Sequence, residues 1–518
     1  MDSLRTRCVY LALFFLCSLT VQNASSSQHN GTTVDHMLSG YKCKEDCTPQ
    51  GGADELCWGY EKRCSKERRL FVPQCEGPAK PWSTNIEGKA EDFWKQGDFG
   101  YVKKEMDSLT TLCKPQVKGD SMLKCSENMR YCRARNLYID FRRFKEMSKT
   151  EGKYKSFLED IFQEGEVGGH CDLNSDLLRS QGEHKSPLQS WYAELERYTN
   201  LTFQPGRREG CDEVVTKPTV FIKLDAGINL YHHYCDFFNL YASQHINGSF
   251  SDDIFIVMWD TSYRTYMDLF SETWKAFSRH PLKRLSDFEG KRVCFRDAMF
   301  PLLARMRHGL FYNTYLVPGC HGSGLMQAFS KHVIDRLGIE QLTSDPSRVR
   351  VTLLSRSTKH RRIVNEEELV SALKGVPYFD VNVVDYKAKV YPFLKQIETS
   401  HNSDIFMGMH GSGLTHMLFQ PDWAGVFEIY NTEDPRCYHD LARLRGVRYV
   451  TWEDGEKVWP EAEGKHPTLG THHAKFTNYT FDLKEFMRIS TSLGEEVRQR
   501  KMAYLGAKDS TIHTHNEL

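Results

Sequence analysis

A short segment of the chain combines two closely spaced glycines with two histidines. Residues 404–416 run from an apolar stretch through a Gly-Ser-Gly turn into a second apolar stretch. This order is typical of a buried strand, a tight turn and a helix start. Such a turn exposes helix N–H groups that can hold a phosphate or diphosphate; the alternative is a turn that only connects a strand to a helix. The predicted anion-binding residues are Gly411, Ser412 and Gly413, with His410 and His416 beside them.

Short β-type runs alternate with segments of helical spacing on both sides of this turn. One series has apolar runs at 220–224, 254–258 and 292–295, with helical spacing over 230–245, 266–277 and 327–337. A second series has runs at 349–354, 379–384, 405–409 and 425–430, with helices at 365–374 and 391–399, and a helix start at 414–419. Alternation of this kind indicates parallel sheets with crossover helices. We therefore predict an α/β protein with two Rossmann-like domains facing a cleft.

Both ends of the chain carry targeting signals. Arg5 and Arg7 precede a short apolar run and a small-residue segment, which is typical of a cleaved signal peptide over 1–24; the alternative is an uncleaved anchor. No later apolar run is long enough to cross a bilayer, so we expect no membrane insertion of the mature chain. The last four residues, His515, Asn516, Glu517 and Leu518, form a near variant of retrieval tetrapeptides. Together the two ends predict the endoplasmic reticulum lumen.

Cysteines and sequons agree with a secretory protein. Of 16 cysteines, 14 follow the expected signal, and five of them crowd the region from Cys43 to Cys75. In an oxidising lumen this favours a disulfide-rich N-terminal extension over a zinc site. Glycosylation is expected at four sequons, which are Asn30, Asn200, Asn247 and Asn478.

The composition of the chain does not indicate nucleic-acid binding. Lys plus Arg and Asp plus Glu both number 68, so the chain has no excess of positive charge for a nucleic acid.

We expect a signal peptide over 1–24, a loop-rich, cysteine-rich cap over 41–140, and a first Rossmann-like domain with a helical lead-in over 141–335. A second Rossmann-like domain is expected over 336–490, and a C-terminal tail over 491–518.

Several segments resemble one enzyme family. They are residues 409–416, 418–424, 428–431, 436–444 and 231–239, together with Ser355 to Thr358, Arg361 and the C-terminal tetrapeptide. These segments closely resemble the EGF-domain-specific O-linked N-acetylglucosamine transferases, whose wider family includes plant xylosyltransferases and the protein O-mannose N-acetylglucosaminyltransferase. The resemblance covers most of the chain after the signal. It implies the GT-B arrangement, with 141–335 on the acceptor side and 336–490 binding the nucleotide sugar.

The resemblance also implies a reaction. N-acetylglucosamine would pass from UDP-N-acetylglucosamine, with inversion, to a Ser or Thr hydroxyl of folded EGF repeats in secreted or membrane proteins. A retrieval receptor would be a second partner. A different class remains open at this point, a non-catalytic luminal lectin or chaperone on a transferase fold. Loss of the glycine turn, of Arg361 and of the His–Asp cluster would be the sequence mark of such decay, and all three are present.

Two arginines and one glutamate are candidates for binding the UDP-sugar. Arg361 follows the run at 349–354 and precedes a helix, at the edge where open α/β sheets hold ligands. Its guanidinium can bind two phosphate oxygens, assisted by Arg356; the alternative is a solvated basic loop. Glu428, at the end of a strand, is predicted to accept hydrogen bonds from ribose hydroxyls, and the alternative is a carboxylate in solvent.

The candidate base lies in the first domain. His232, His233 and Asp236 open a helix, and Asp236 lies one turn beyond the histidines, so an imidazole and a carboxylate can share a face and take the acceptor proton. The alternative is a structural His–Asp pair. No Asp-x-Asp occurs in the chain, so we expect no required metal, with at most partial stimulation by Mn²⁺.

Overall fold

The computed structural model describes residues 56–80, 83–144, 161–182, 186, 188–260, 268–306, 309–314, 317–387, 390–432 and 434–515. The expected signal peptide, Asn30, and residues 516–518 of the expected retrieval signal lie outside these ranges. Cys43 and Cys47 also lie outside them.

Twenty strands are formed by the described residues. The first ten are β1 (Gln74–Cys75), β2 (Thr110–Lys114), β3 (Met122–Cys125), β4 (Cys132–Asp140), β5 (Val167–Gly169), β6 (Asp172–Leu173), β7 (Thr199–Asn200), β8 (Glu213–Val215), β9 (Thr219–Ile222) and β10 (Phe255–Met258). The others are β11 (Lys283–Arg284), β12 (Arg292–Phe300), β13 (Cys320–His321), β14 (Val349–Leu354), β15 (Phe379–Val384), β16 (Ile405–Gly408), β17 (Gly425–Glu428), β18 (Arg448–Thr451), β19 (Val458–Pro460) and β20 (Tyr479–Phe481).

Ten α-helices lie between or beside these strands in the described part of the chain. They are α1 (Ile86–Gly97), α2 (Phe99–Asp107), α3 (Ser175–Ser180), α4 (Tyr192–Leu195), α5 (Leu230–Asn247), α6 (Gly324–Arg336), α7 (Glu366–Lys374), α8 (Phe393–His401), α9 (Cys437–Arg445) and α10 (Leu483–His515). Short 3₁₀ helices occur at Lys66–Arg68, Glu127–Met129, Pro205–Arg207, Ser271–Ala276, Leu285–Phe288, Phe311–Asn313, Ser412–Phe419, Gly455–Lys457 and Ala474–Phe476.

The larger sheet has eleven strands and builds the first half of the molecule. Its main order is β11-β10-β9-β12-β4-β3-β2-β6. Strands β11, β10, β9 and β12 are parallel, and β12 then pairs antiparallel with β4 over most of its length. Helix α5 follows β9 and is buried on nearly all sides. The residues between β9 and α5 therefore lie at the carboxyl edge of the parallel strands.

The smaller sheet is fully parallel and builds the second half. Its order is β15-β14-β16-β17-β18. One face packs against the first half, with Phe406 and Phe419 in the core shared with α5. The other face packs against α10, whose Leu493 and Val497 are buried with the sheet residue Phe427. The mixed α/β architecture with two sheet-based halves confirms the predicted fold class.

Two expected divisions differ from the structure. Residues 110–140, assigned above to the cap, form β2, β3 and β4 of the larger sheet, because buried Cys132 and Ala134 alternate with the more exposed Arg133 and Arg135 as a half-buried strand requires. The tail expected to begin at residue 491 is part of α10, since apolar residues at helical spacing continue past that point. The helix expected over 266–277 is described only as the 3₁₀ helix Ser271–Ala276, residues 261–267 lying outside the described ranges.

Disulfides stabilise the N-terminal region, as predicted. Pairs form between Cys57 and Cys64, Cys75 and Cys320, Cys113 and Cys171, Cys125 and Cys132, and Cys211 and Cys294. The second pair ties β1 to β13, so the N-terminal extension is fastened to the strand just before α6. Among the described residues, none of the helices combines the length and the apolar character needed to cross a bilayer.

Candidate active site

The predicted glycine turn lies at the point where the order of the smaller sheet reverses. Strand β14 comes first in the chain, but it lies between β15 and β16 in the sheet. The loops that follow β14 and β16 therefore leave the sheet in opposite directions and open a crevice at its carboxyl edge, where α/β sheets bind ligands. The loop after β14 carries Arg356 and Arg361, and the loop after β16 carries His410 and the glycines.

Glycine is required at two positions of this turn. Gly411 has φ 157° and ψ 164°, a conformation that other residues rarely adopt. A Cβ atom at Gly411 would lie 2.6 Å from Nη1 of Arg356, and one at Gly413 would lie 2.4 Å from Cδ2 of Leu354. Ser412 follows Gly411 and begins the 3₁₀ helix, partly exposed. The turn therefore brings its backbone against the arginines.

The two arginines converge on one backbone oxygen. Nη1 of Arg356 and Nη1 of Arg361 donate to the carbonyl oxygen of His410 at 3.0 and 2.7 Å. Neither arginine forms an ion pair with a carboxylate of the described residues, and Nε of Arg361 is buried without a hydrogen-bond partner among them. Burial and the charge of Arg361 lower the pKa of Arg356 to about 10, so both remain cationic at neutral pH. Two unneutralised cations beside bare N–H groups form a site for an anion such as a diphosphate.

The same five residues occur a second time, and there the anion position is already filled. Residues 321–325 repeat the His-Gly-Ser-Gly-Leu sequence of residues 410–414. At this first copy the Asp98 carboxylate accepts the N–H groups of Gly324 at 2.9 Å and Leu325 at 2.8 Å, and it caps α6. Our sequence analysis missed this repeat, although the identical pentapeptides are visible in the chain. At the second copy, the side chains that bond to the pentapeptide backbone include two arginines, Arg356 and Arg361.

His410 is held by a buried carboxyl group. Its Nδ1 lies 2.7 Å from Oε1 of Glu428, and the hydroxyl of Tyr449 donates to Oε2 of the same group. Burial raises the pKa of Glu428 to about 8 and lowers the pKa of His410 to about 3. At neutral pH Glu428 therefore keeps its proton and His410 is uncharged, so the two side chains do not form an ion pair. We predicted that Glu428 contacts a ribose, and the alternative was a carboxylate in solvent. The side chain is fully buried, so the structure shows neither arrangement.

His416 does not lie at the mouth of the turn, where we predicted it. Its ring is buried beside Tyr386 and Phe406, at ring distances of 4.6 and 6.1 Å. Nδ1 bonds to the carbonyl oxygen of Gly413 at 2.8 Å, and burial lowers the pKa of the imidazole to about 4. The residue sits on the inner face of the 3₁₀ helix, so it stabilises the turn from below instead of facing a ligand.

A histidine and an aspartate face each other across the end of β9. Nδ1 of His232 lies 2.7 Å from Oδ2 of Asp225, and Nε of Arg305 lies 2.9 Å from the same oxygen. Burial opposes ionisation of Asp225, but the hydrogen bonds and charges of His232 and Arg305 outweigh it and hold the pKa below its usual value. Because an ionised carboxylate only accepts, the hydrogen between the two residues lies on Nδ1 of His232, and Nε2 is the ring nitrogen directed away from Asp225. The His232 side chain is 22% exposed, so Nε2 can meet a ligand.

The other two predicted catalytic residues are turned inward. His233 is fully buried and its Nε2 bonds to Asp268 at 3.0 Å, where Trp274 also donates at 2.7 Å. Asp236 accepts the backbone N–H of Asp225 at 3.0 Å, and burial raises its pKa well above the usual value. Both shape the loop that presents Asp225 and the first turn of α5. Asp225 itself was missed: it lies three residues after the end of β9, and its place in the site depends on its tertiary contact with Arg305.

Aromatic side chains connect the two clusters across the seam of the halves. The ring of Tyr231, next to His232, lies 5.7 Å from the ring of Tyr438 at the start of α9. Tyr438 in turn lies 5.1 Å from the ring of His410. The His232 pair and the arginine pair thus border one cleft between the sheets.

The remaining predicted positions differ in their surroundings. Asn200 is exposed and Asn247 is half-buried, each with its Oδ1 accepting one hydrogen bond. Asn478 is buried, with Nδ2 donating to Glu461 and Oδ1 accepting from Arg362. Because the residue is buried and both its Oδ1 and its Nδ2 form hydrogen bonds, the folded structure disfavours a glycan at Asn478. Among the described residues the group of three potential metal ligands is Cys57, Glu61 and Cys64, whose sulfurs form a disulfide.

Comparisons with known proteins agree with this chemistry. A family model described as Glycosyltransferase 61 matches residues 320–427, which include both copies of the pentapeptide and both arginines. An EGF domain-specific O-linked N-acetylglucosamine transferase of Xenopus laevis is 56% identical over 84% of this chain and 81% of the relative. Relatives of the same description from Canis lupus familiaris and Drosophila melanogaster are 52% and 45% identical, each over 88% of this chain and 86% of the relative.

Proposed function

The chain belongs to the family of EGF domain-specific O-linked N-acetylglucosamine transferases, and we propose that it transfers N-acetylglucosamine from UDP-N-acetylglucosamine to Ser or Thr hydroxyls of folded EGF-like domains. The acceptors are EGF-repeat-containing secreted or membrane proteins, and the reaction inverts the sugar carbon.

The arginine pair at the glycine turn supports a nucleoside-diphosphate sugar as the donor. Arg356 and Arg361 meet at the glycine turn, without a carboxylate partner among the described residues, at the crevice of a parallel sheet. A nucleoside diphosphate supplies the missing negative charge, and its phosphate oxygens fit the planar guanidinium groups. The arginines then neutralise the charge that develops on the leaving UDP, which is the largest electrostatic demand of the reaction.

His232 is the base in this proposal, and Asp225 positions it. The acceptor hydroxyl attacks the sugar carbon while its proton passes to Nε2 of His232, and the bond from that carbon to the diphosphate breaks. Asp225 keeps the hydrogen on Nδ1 and stabilises the imidazolium that forms. The assignment replaces our prediction of Asp236 or His233, because both of those side chains are buried.

The cellular setting follows from the two ends of the chain. We place the protein in the lumen of the endoplasmic reticulum, with the C-terminal tetrapeptide as ligand of a retrieval receptor. Helix α10 continues to His515, so the last three residues follow directly from a helix end. No metal is assigned to the transfer step, because the arginines supply the countercharge.

Release of UDP distinguishes this function from that of a lectin or chaperone on the same fold. Purified protein is given UDP-N-acetylglucosamine and a folded EGF repeat, with the reduced repeat and UDP-glucose as controls. The proposal expects UDP release and sugar on the repeat only with the folded acceptor and the N-acetylated donor. Binding of the repeat without any UDP release would contradict it.

A further inference from the structure

Three apolar side chains lie exposed around the first turn of α5, and we refer to them as the apolar rim. Ile228, Leu269 and Tyr312 have 56%, 41% and 36% of their surface exposed. Single exposed apolar residues are common on protein surfaces, whereas several exposed apolar side chains near one structural element indicate an interaction site.

Backbone and ring contacts place the rim around His232. Ile228 immediately precedes Asn229, whose side chain caps α5. The N–H of Leu269 donates to the carbonyl oxygen of Gly227 at 3.1 Å, which brings Leu269 beside Ile228. The ring of Tyr312 lies 5.3 Å from the ring of His232. Tyr312 therefore covers one side of the His232 ring, and Ile228 and Leu269 lie at the loop that leads into the helix of His232.

The rim also borders the seam between the two halves of the molecule. Phe270, next to Leu269, packs against Phe393 of α8 with 5.0 Å between the rings. On the other side, Tyr231 lies 6.0 Å from Tyr312 and 5.7 Å from Tyr438. The apolar surface is thus continuous with the cleft that holds the arginine pair.

We infer that the apolar rim is the docking surface for the folded acceptor domain, and that it selects acceptors with an apolar side chain beside the reacting hydroxyl. This inference rests on the proposed function. The acceptor hydroxyl must come within about 3 Å of Nε2 of His232 to lose its proton. A folded domain that does so lays the surface around its hydroxyl over Tyr312, which contacts His232, and over the loop before α5 that carries Ile228.

Single polar substitutions test the rim. Ile228→Ser and Leu269→Ser remove apolar contact area from exposed positions, and Ile228→Val retains most of it. Leu342→Ser is the matched control, since Leu342 is 55% exposed but lies at the opposite end of β14 from Arg356. Steady-state kinetics with a folded EGF repeat give KM and kcat for the acceptor, and size-exclusion chromatography gives the oligomeric state.

The two Ser variants should raise the acceptor KM about tenfold, as expected for the loss of one buried apolar contact at an interface, while kcat at saturating acceptor stays within about twofold. Leu342→Ser should keep the KM of the unsubstituted chain, and Ile228→Val should raise the KM less than Ile228→Ser does, since it removes only one methylene group. An unchanged KM in both Ser variants, or a change in oligomeric state alone, which would make the rim a self-association surface, overturns the inference. Failure of the unsubstituted chain to transfer sugar would instead overturn the proposed function.

Discussion

Nδ1 of His232 lies 2.7 Å from Oδ2 of Asp225, across the carboxyl edge of the larger sheet. The two residues are seven positions apart, and the loop between β9 and α5 brings them together. The same geometry leaves Nε2 of His232 facing the cleft. This pair, and not the buried Asp236, has the arrangement that proton abstraction requires.

Asp225→Asn should lower kcat by about 10²-fold, because it removes the charge that stabilises imidazolium on His232. We expect little change in the melting temperature or in the KM for UDP-N-acetylglucosamine. Asp253→Asn is the control, since Asp253 makes a His–Asp contact of the same 2.7 Å length with His280, elsewhere on the larger sheet. A kcat that is equally low in both variants would show that the Asp225 effect is general destabilisation.

The His410–Glu428 pair predicts a pH dependence of stability. The folded chain keeps the Glu428 proton up to pH about 8, whereas the unfolded chain releases it near 4.5, so the free energy of unfolding falls as the pH rises between those values. His410 opposes this only below 6.5, because the unfolded imidazole is neutral above that pH. Between pH 6.5 and 8 the Glu428 effect therefore stands alone within the pair.

Glu428→Gln keeps the side-chain shape and removes the titrating proton. Between pH 6.5 and 8, the free energy of unfolding of the parent should fall by about 2 kcal/mol more than that of the variant. Denaturant melts at the two pH values measure this difference. Parallel pH profiles for both proteins would mean that Glu428 is ionised throughout this range.

In the second half of the molecule, the sequence predicted four of the five strands of the smaller sheet but not β18, β19, β20, α9 or α10. Strands at 349–354 and 379–384 match β14 and β15 residue for residue, since β-branched runs bounded by polar turns leave little choice of register. The arginine pair was also found, because a glycine turn and a basic loop follow neighbouring strands of one sheet. The N-terminal strands were not predicted, since the second half of β4 is buried on both faces and shows no polar–apolar alternation.

Side-chain direction was the part of the site that sequence could not determine. His232 and His233 are adjacent in the chain, yet one faces the cleft and the other the core, because successive helix positions point about 100° apart. Likewise Glu428 ends a strand whose last residue turns into the fold, toward Tyr449 of the neighbouring strand. Asp225 requires the tertiary contact with Arg305 to be recognised as part of the site.

Removal of divalent ions should leave substantial activity. The arginines and the N–H groups of the glycine turn provide the countercharge for the leaving UDP, so a metal is not the largest charge in the site. Enzyme assayed in excess EDTA should retain a clearly measurable fraction of its rate, with any Mn²⁺ stimulation partial. Complete loss of turnover that added Mn²⁺ restores would show that carboxylates of the cleft hold an essential ion.

Deletion of residues 515–518 should release the protein into the medium with its specific activity intact. The tetrapeptide begins at His515, the last residue of α10, and would be read by a receptor. Secreted and cell-associated enzyme are compared for the parent and the truncated chain. Retention of the truncated chain at the parent level would contradict the retrieval role.

The central claim is that Arg356 and Arg361 neutralise the departing diphosphate, and Arg361→Ala tests it most directly. Arg362→Ala is the matched control, because Arg362 is the exposed neighbour of Arg361. Initial rates of UDP release are measured with UDP-N-acetylglucosamine and a folded EGF repeat, alongside melting temperatures. We predict that Arg361→Ala loses about 2–4 kcal/mol of transition-state stabilisation while its melting temperature stays near that of the parent, and that Arg362→Ala keeps the parent rate. Normal turnover by Arg361→Ala, or its unfolding, would contradict the account.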